Sequence, residues 1–177
     1  MDIHEEILAD RESGARRLVA EYKDRLYSAA LMMCGNEHEA EELVFRTFAQ
    51  AVNKIAKYRP DGSFFGWLFA ILANFRKMDL RRKACRVLLF FTDELPEKSD
   101  TKPDAGETLS AAGDAERVRR AVSTLPEVLR AAVILRYFED LPTPEISRIL
   151  KIPEGTVRSR LHNAKALLRD RLKAVVV

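Results

Sequence analysis

The sequence has few of the residues that strands, disulfide frameworks and membrane spans require. Its 177 residues include only 7 glycines and 2 cysteines, while the hydrophobic content is an ordinary 47%. Cys34 and Cys85 form no CxxC or Cys/His pattern, so neither a disulfide framework nor a zinc site is predicted. The acidic start MDIHEEILAD lacks the apolar segment of a signal peptide, and no apolar run approaches the ~20 residues of a membrane span. These absences favour a reduced, cytoplasmic, helix-rich protein without membrane insertion.

Charge is distributed unevenly along the chain, although the net charge is only +3. Residues 76–86 include six basic residues and one acid, and residues 148–173 include eight basic residues and two acids. Between these segments, residues 93–116 include eight acids and two lysines. Two basic segments separated by an acidic one predict two nucleic-acid-binding domains on a tether.

Apolar residues recur at helical spacing on both sides of the acidic segment. In the first half, helices are predicted over residues 12–33, 37–55 and 64–78, the last continuing into the basic run. Gly35 is expected to end the first helix in a left-handed conformation, and Asn36 to cap the second in a capping box with Glu39. The predicted fold class is all-α, with two small helical domains joined by a flexible acidic linker. The predicted boundaries are 1–90 for the first domain, 91–113 for the linker and 114–177 for the second domain.

The second half has the pattern of a helix-turn-helix. Helices are predicted over residues 115–123 and 126–138, and a short one follows with Thr143 as N-cap and Pro144 as its first residue. A tight turn over 151–155 leads into a basic helix with an apolar stripe formed by Val157, Leu161 and Ala164. A lone basic helix is usually a solvated surface. A short helix and a tight turn before it favour reading of DNA in the major groove.

Three segments, in order, resemble the extracytoplasmic-function (ECF) sigma factors of bacterial RNA polymerase. GNEHEAEELVFRTFAQA resembles the core-binding helix of that family, and FFGWLFAILANFRKMDLRRK resembles its promoter-melting segment. LPEVLRAAVILRYFEDLPTPEISRILKIPEGTVRSRLHNAKALL resembles its C-terminal domain. The resemblance implies a protein that binds core polymerase and directs initiation by reading −35 duplex DNA and a melted −10 element. It implies no catalysis and no cofactor.

The resemblance also implies which residues bind each partner. Core polymerase, through the clamp helices of its largest subunit, would contact Glu41, Glu42, Phe45 and Arg46. The melted −10 element would contact Pro60, Asp61, Gly62, Ser63, Phe65, Asn74, Arg76, Lys77, Arg81 and Arg82. The −35 element would contact Thr156, Arg158, Ser159, Arg160, His162, Asn163 and Lys165. The flap of the second-largest subunit and an anti-sigma factor are further implied partners, and the latter could hold the protein at the membrane.

Two aromatic residues, Phe45 and Phe65, bear on the predicted binding surfaces, because each could be exposed to a partner or buried within the first domain. Phe45 lies beside the apolar stripe of its helix, where it either awaits a partner or packs under a neighbouring helix. Phe65 lies off the apolar stripe of the next helix and is expected to be exposed and to stack on bases, whereas Trp67 is expected in the core. The chain differs from the usual family pattern at three places: Phe45-Arg46, Met78 and Asn163.

Other functions have weaker support. The main alternative is a dimeric helix-turn-helix regulator with an N-terminal interaction bundle, which would have no need of the Trp67 helix or of an acidic tether. A protein-interaction module that never touches DNA is disfavoured by the two basic segments. His38, Glu39 and Glu42 lie one turn apart as metal ligands do, but the sequence offers no second such set.

Overall fold

The computed structural model describes residues 2–90 and 111–174, and within these ranges all regular structure is helical. The α-helices are α1 (Ile3–Ala9), α2 (Arg11–Cys34), α3 (Glu37–Lys54), α4 (Phe64–Phe90), α5 (Ala111–Ser123), α6 (Glu127–Val133), α7 (Thr143–Leu150) and α8 (Glu154–Ala174). A 3-10 turn, Ile55–Lys57, follows α3, and a π-helix, Ile134–Phe138, follows α6. No helix of the described ranges is long and apolar enough to cross a membrane. The all-α, two-domain prediction is confirmed, while residues 91–110 of the predicted linker lie outside the described residues.

Helices α2, α3 and α4 form the first bundle, and α1 packs across α2. Leu18, Leu26 and Leu72 are fully buried between them, and burial of each such side chain stabilises the fold by roughly 1.5–3 kcal/mol. Sequence periodicity did not predict α1, since seven residues are too few to show a helical period. Gly14 of α2 lets α1 approach, because a β-carbon there would lie 2.5 Å from the backbone nitrogen of Ile7.

The junction between α2 and α3 has the predicted form in all but one respect. Gly35 ends α2 with φ of 68°, in the left-handed region that glycine adopts without strain. The side chain of Asn36 accepts a hydrogen bond from the backbone nitrogen of Glu39 at 2.9 Å. The reciprocal bond of a capping box is not formed, because the Glu39 carboxylate binds Arg76 at 2.8 Å and Lys83 at 2.5 Å.

Helices α5 to α8 form the second bundle, whose core includes Val122, Leu125, Ile134, Leu135 and Ile146. Helix α5 begins three residues before the predicted boundary at 114. The single helix predicted over 126–138 is instead α6 followed by the π-helix. The predicted Thr143 cap is wrong as well, since Pro142 precedes the helix in an extended conformation and no side chain caps it.

The two bundles contact each other along what we call the interdomain seam. Helix α7 packs on the start of α4, while α5 and α6 pack on α2. The polar pairs of the seam are Arg25–Glu139, Arg76–Glu127, Arg130–Met33, Ser63–Glu145 and Asp61–Arg148.

Candidate nucleic-acid and polymerase interfaces

Helix α8 presents a polar face to solvent, as the sequence predicts. Val157, Leu161 and Ala164 are buried against the second bundle. The exposed predicted DNA contacts are Arg158, Ser159, His162, Asn163 and Lys165. Thr156 and Arg160 are half-buried, and Arg160 donates a hydrogen bond of 3.4 Å to the carbonyl of Val128. The face that bears arginine, histidine and asparagine is therefore free to hydrogen-bond base edges and phosphates.

The turn before α8 holds that helix at a fixed angle to α7. Lys151 ends α7 in the left-handed region with φ of 54°, which is unusual for a residue with a side chain. Ser147 secures the turn twice: its carbonyl accepts from the Ile152 nitrogen at 3.1 Å, and its hydroxyl donates to the Ile152 carbonyl at 2.5 Å. Glu154 then opens α8 and lies 3.4 Å from Arg158 in the next turn. The geometry is that of a helix-turn-helix.

Helix α3 exposes an apolar side chain beside an apolar groove. Phe45 is 75% exposed, more than any other large apolar side chain of the described residues, and Glu41 and Glu42 are exposed nearby. The groove between α2 and α3 has a volume of about 920 Å³. Its lining includes Val19, Val44, Phe45, Phe48 and Val52, with Lys23, Asp24 and Glu41 among its charged residues. The interpretation in which Phe45 packs under a neighbouring helix is therefore wrong.

Arg46 faces α4 rather than solvent. Its guanidinium binds both carboxylate oxygens of Asp79, at 2.8 and 3.2 Å, and lies 4.5 Å from the ring centroid of Phe75. A bidentate, charge-assisted pair stacked on a ring is among the stronger polar contacts in proteins. Two departures from the family pattern therefore meet here, because Arg46 pairs with Asp79, the residue that follows Met78.

The predicted −10 turn is exposed at Pro60, Asp61 and Gly62 and rests on an aromatic cluster. The rings of Tyr58, Phe64 and Trp67 have centroids 4.9 to 5.4 Å apart. Ser63 caps α4, since its hydroxyl accepts a hydrogen bond from the Gly66 nitrogen at 3.2 Å. Farther along α4, the predicted strand contacts Asn74, Lys77, Arg81 and Arg82 are exposed. Trp67 is half-buried within the cluster, which agrees with its expected place in the core.

Phe65 and Arg76 do not have the predicted exposure. Phe65 is only 1% exposed and lies under the guanidinium of Arg25, whose carbon is 4.7 Å from the ring centroid. Helix α4 is apolar on two sides, and Phe65 lies on the side toward α2. The Arg76 side chain is 11% exposed and binds Glu39 at 2.8 Å and Glu127 at 3.7 Å. Hydrogen bonds from Lys83 and Arg76 lower the pKa of the Glu39 carboxyl.

Two family models match the chain in order. Sigma-70 region 2 matches residues 18–85, and sigma-70 region 4 matches residues 115–168. The chain is 30% identical over 159 residues to the ECF RNA polymerase sigma factor SigW of Bacillus subtilis, covering 86% of this chain and 85% of that protein. The chain belongs to the ECF sigma factors. It is also 35% identical over 159 residues to SigE of Mycolicibacterium smegmatis, a match that spans 88% of this chain but 60% of the longer relative.

Two solved structures share the fold of this sigma factor. RpoE from Bartonella quintana, crystallised with the anti-sigma factor NepR, has a TM-score of 0.71 at 22% identity, covering 89% of this chain and 96% of that one. CnrH, in complex with the cytosolic domain of CnrY, has a TM-score of 0.67 at 23% identity, covering 97% and 96%. Together with the family match, these findings favour a transcription initiation factor that directs RNA polymerase to specific promoters over the dimeric regulator.

Sequence reasoning missed the polar residues that join region 2 to region 4 of this sigma factor. Arg25 lies 2.5 Å from Glu139, whose side chain is 6% exposed and whose pKa is raised by burial. Arg130 donates to the Met33 carbonyl at the end of α2, and Glu145 accepts from the Ser63 nitrogen. Their partners lie 82 to 114 positions away, so no local pattern reveals them.

Metal binding receives no support from the residues that the structure describes. Among them, no three His, Cys, Asp or Glu side chains are grouped as metal ligands would be. The thiol of Cys34 is half-buried, and burial raises its pKa to about 11. That thiol is therefore protonated near neutral pH, in keeping with a packing role.

Proposed function

We propose that this ECF sigma factor binds core RNA polymerase through the exposed face of α3, holds the melted −10 strand on the turn before α4, and reads the −35 duplex with α8. The observation that carries the proposal is the exposure of Phe45 on the region 2 helix beside a groove. Large apolar side chains that are mostly exposed next to an apolar groove mark protein-binding surfaces.

The polymerase-binding face combines apolar contact with negative charge. Phe45 provides an apolar anchor, and the exposed carboxylates of Glu41 and Glu42 lie one turn before it. Such a face suits a partner helix with basic side chains around an apolar centre, which is the character required of the clamp helices of the largest subunit. Arg46 supports this face from beneath, because its pair with Asp79 fixes α3 on α4.

The −10 face, formed by α4 and the turn before it, has groups suited to binding single-stranded DNA. Asn74 can hydrogen-bond a base edge, while Lys77, Arg81 and Arg82 are exposed cations along the same helix. Trapping an unstacked base costs a few kcal/mol, which contacts to phosphates and to the base must offset. The exposed backbone of Asp61 and Gly62 would close around that base.

The −35 face reads duplex DNA from the major groove. Arg158 and His162 lie one turn apart on the exposed side of α8, with Ser159 and Asn163 beside them. Arginine is the commonest bidentate reader of guanine and asparagine can read adenine. Asn163, where the chain departs from the family pattern, would either shift the preferred −35 sequence toward adenine or weaken −35 binding.

An anti-sigma factor is proposed as the inhibitory partner. RpoE was crystallised with one, and the fold of RpoE is shared by this chain. The protein would act in the cytoplasm, and such a partner would determine whether it is held at the membrane. The flap of the second-largest polymerase subunit is proposed to position region 4 at the −35 element.

The proposal is tested by binding to bacterial core polymerase followed by run-off transcription. The wild-type protein should bind core and start transcription at one defined position on a cognate promoter. Arg158→Ala should weaken binding to a −35 duplex by roughly 1–3 kcal/mol, with Arg169→Ala, an exposed arginine farther along α8, as the matched control.

Asn74→Ala should leave −35 binding unchanged and reduce binding to the single-stranded −10 element, so the two variants separate the two faces. A chain that ignores core polymerase and shifts duplex DNA by itself would contradict the proposal. Equal loss of −10 and −35 binding in both variants would contradict the division of labour between α4 and α8.

A further inference from the structure

The turn to which the −10 strand is assigned rests on one tyrosine. Tyr58 follows the 3-10 turn, and its hydroxyl donates to the Gly62 carbonyl at 3.4 Å, which joins the two sides of the turn. Its ring also packs on Phe64 and Trp67 of α4, with centroids 4.9 and 5.2 Å away. Tyr58 therefore connects the start of the turn, its far side and the beginning of α4.

A histidine of α1 packs on that tyrosine. The ring centroids of His4 and Tyr58 lie 5.4 Å apart with an interplanar angle of 62°, an edge-to-face arrangement that aromatic pairs prefer. The His4 side chain is 20% exposed, and its Nδ1 lies 3.2 Å from the Asp2 carboxylate. Asp2 also caps α1, since its side chain accepts from the Ile3 nitrogen at 2.7 Å. The cap of α1 therefore lies beside the ring that contacts Tyr58.

Helix α1 is too short to hold this position by itself. Isolated helices of fewer than about 12–15 residues are marginal in water, and α1 has seven. Its place depends on α2, because the Glu6 carboxylate accepts from the Arg17 guanidinium at 2.6 Å and Gly14 leaves no side chain between the two helices. A β-carbon at position 14 would lie 2.5 Å from the Ile7 nitrogen, one turn after His4. The packing of α1 on α2 therefore determines the position of the histidine ring.

We propose that α1 is a positioning element for −10 recognition: His4, acting through Tyr58, keeps the turn in the form that binds the melted strand. This inference rests on the proposed role of the turn in −10 binding. It gives a role in promoter recognition to a helix that precedes the residues matched by sigma-70 region 2, which begin at 18. His4 is assigned no contact with DNA, so its effect lies in the affinity for the strand and not in which base is preferred.

The single tryptophan of the sequence reports on this contact directly. Trp67 is half-buried in the aromatic cluster, with its ring centroid 5.2 Å from that of Tyr58 and 5.4 Å from that of Phe64. Tryptophan emission moves to longer wavelength when water reaches the indole. Displacement of His4 should therefore be visible in the free protein before any DNA is added. A loss of strand binding that arises elsewhere in the chain should leave the emission unchanged.

Removal and replacement of the ring provide the first test, on the full chain. The ligand is a labelled single strand that carries the −10 region of a promoter mapped by run-off transcription. His4→Ala should shift Trp67 emission to longer wavelength and weaken strand binding by roughly two-fold to twelve-fold, the range that one aromatic pair contributes. His4→Phe keeps a ring against Tyr58 and should restore both values. Leu8→Ala removes a 58% exposed side chain of the same helix and is the matched control, which should change neither value.

Displacement of α1 from a different point provides the second test. Gly14→Ala places a β-carbon 2.5 Å from the Ile7 nitrogen, so α1 must shift, although alanine suits the interior of α2 better than glycine does. This variant should reproduce both effects of His4→Ala without altering any ring of the cluster. In the double variant the two losses of strand binding should not add, because both act through one contact. Binding to a −35 duplex should stay at the wild-type value in every variant, since α8 is not involved.

The outcomes separate the two proposals. If His4→Ala and Gly14→Ala bind the −10 strand as tightly as the wild-type protein does, the role of α1 is overturned and the sigma-factor interfaces stand. Equal weakening by His4→Ala and His4→Phe would overturn the ring contact with Tyr58 as the route. A wild-type protein that binds neither core polymerase nor the strand would instead overturn the proposed function. Unchanged Trp67 emission in His4→Ala would then still overturn the positioning of the turn by α1.

Discussion

Replacement of Phe45 by alanine should weaken polymerase binding while leaving the fold intact. The side chain is 75% exposed, so its removal should change the free energy of unfolding by less than about 0.5 kcal/mol. Full burial of a phenylalanine contributes roughly 1.5–3 kcal/mol. Three-quarters of that amount, about 1–2 kcal/mol, is available to a partner that covers the ring, because a quarter is already buried. The expected loss is between about five-fold and thirty-fold in Kd.

The assay is a titration of fluorescent sigma factor with core polymerase at fixed ionic strength, alongside urea unfolding of each free protein. Leu8→Ala is the matched control, because Leu8 is also a mostly exposed apolar residue, at 58%, but lies on α1 outside the groove. The control should bind core as the wild-type protein does.

Equal affinity of Phe45→Ala and wild type for core polymerase would refute the assignment of this face. A loss of unfolding free energy as large as the loss of binding free energy would refute it as well. In that case the ring would be stabilising the bundle, contrary to its exposure.

Three further predictions concern stability and reactivity. A double-mutant cycle of Arg46→Ala and Asp79→Ala, measured by urea unfolding, should give a coupling energy of about 0.5–3 kcal/mol, whereas additive effects would mean that the pair does not hold α3 on α4. At pH 7.5 a thiol reagent should modify exposed Cys85 at once and Cys34 slowly, since burial raises the pKa of the latter to about 11; equal rates would contradict that burial. Burial also raises the pKa of Glu139, so its contribution to stability is present at low pH and is lost as the pH rises through that pKa. Glu139→Gln should therefore be more stable relative to wild type at pH 7.5 than at pH 5, and a difference that does not change with pH would contradict the sign of the shift.

The parts of the structure that the sequence predicts are those set by short-range periodicity. Val157, Leu161 and Ala164 are buried as their spacing predicts, because one face of an amphipathic helix must meet the core. Gly35 is left-handed because a helix ends there. For this stripe and for Gly35, the controlling interactions lie within one or two helical turns. Phe45 lies beside the apolar stripe of its helix, a place that left exposure and packing under a neighbouring helix both open, and the structure shows that it is exposed.

The parts that were missed depend on contacts between distant segments. Phe65 is buried because α2 brings Arg25 over its ring, and the sequence around Phe65 contains no sign of this. Arg76 was expected to hold phosphates, but Glu39 and Glu127 converge on it from two other helices. Basic residues on a helix predict a charged face, and only the tertiary fold decides whether protein carboxylates or phosphates neutralise it.

The π-helix that follows α6 determines the orientation of the two helices after it, α7 and α8. Across Ile134–Phe138 the chain bonds five residues back, as in the 3.2 Å bond from the Glu139 nitrogen to the Ile134 carbonyl, which accommodates one more residue than an α-turn. Each residue of an α-helix turns the chain by about 100°. Deletion of one residue here would restore α-geometry and rotate Glu139 away from Arg25. A single-residue change in length within the π-helix would thus reset the angle at which the helix-turn-helix meets the first bundle.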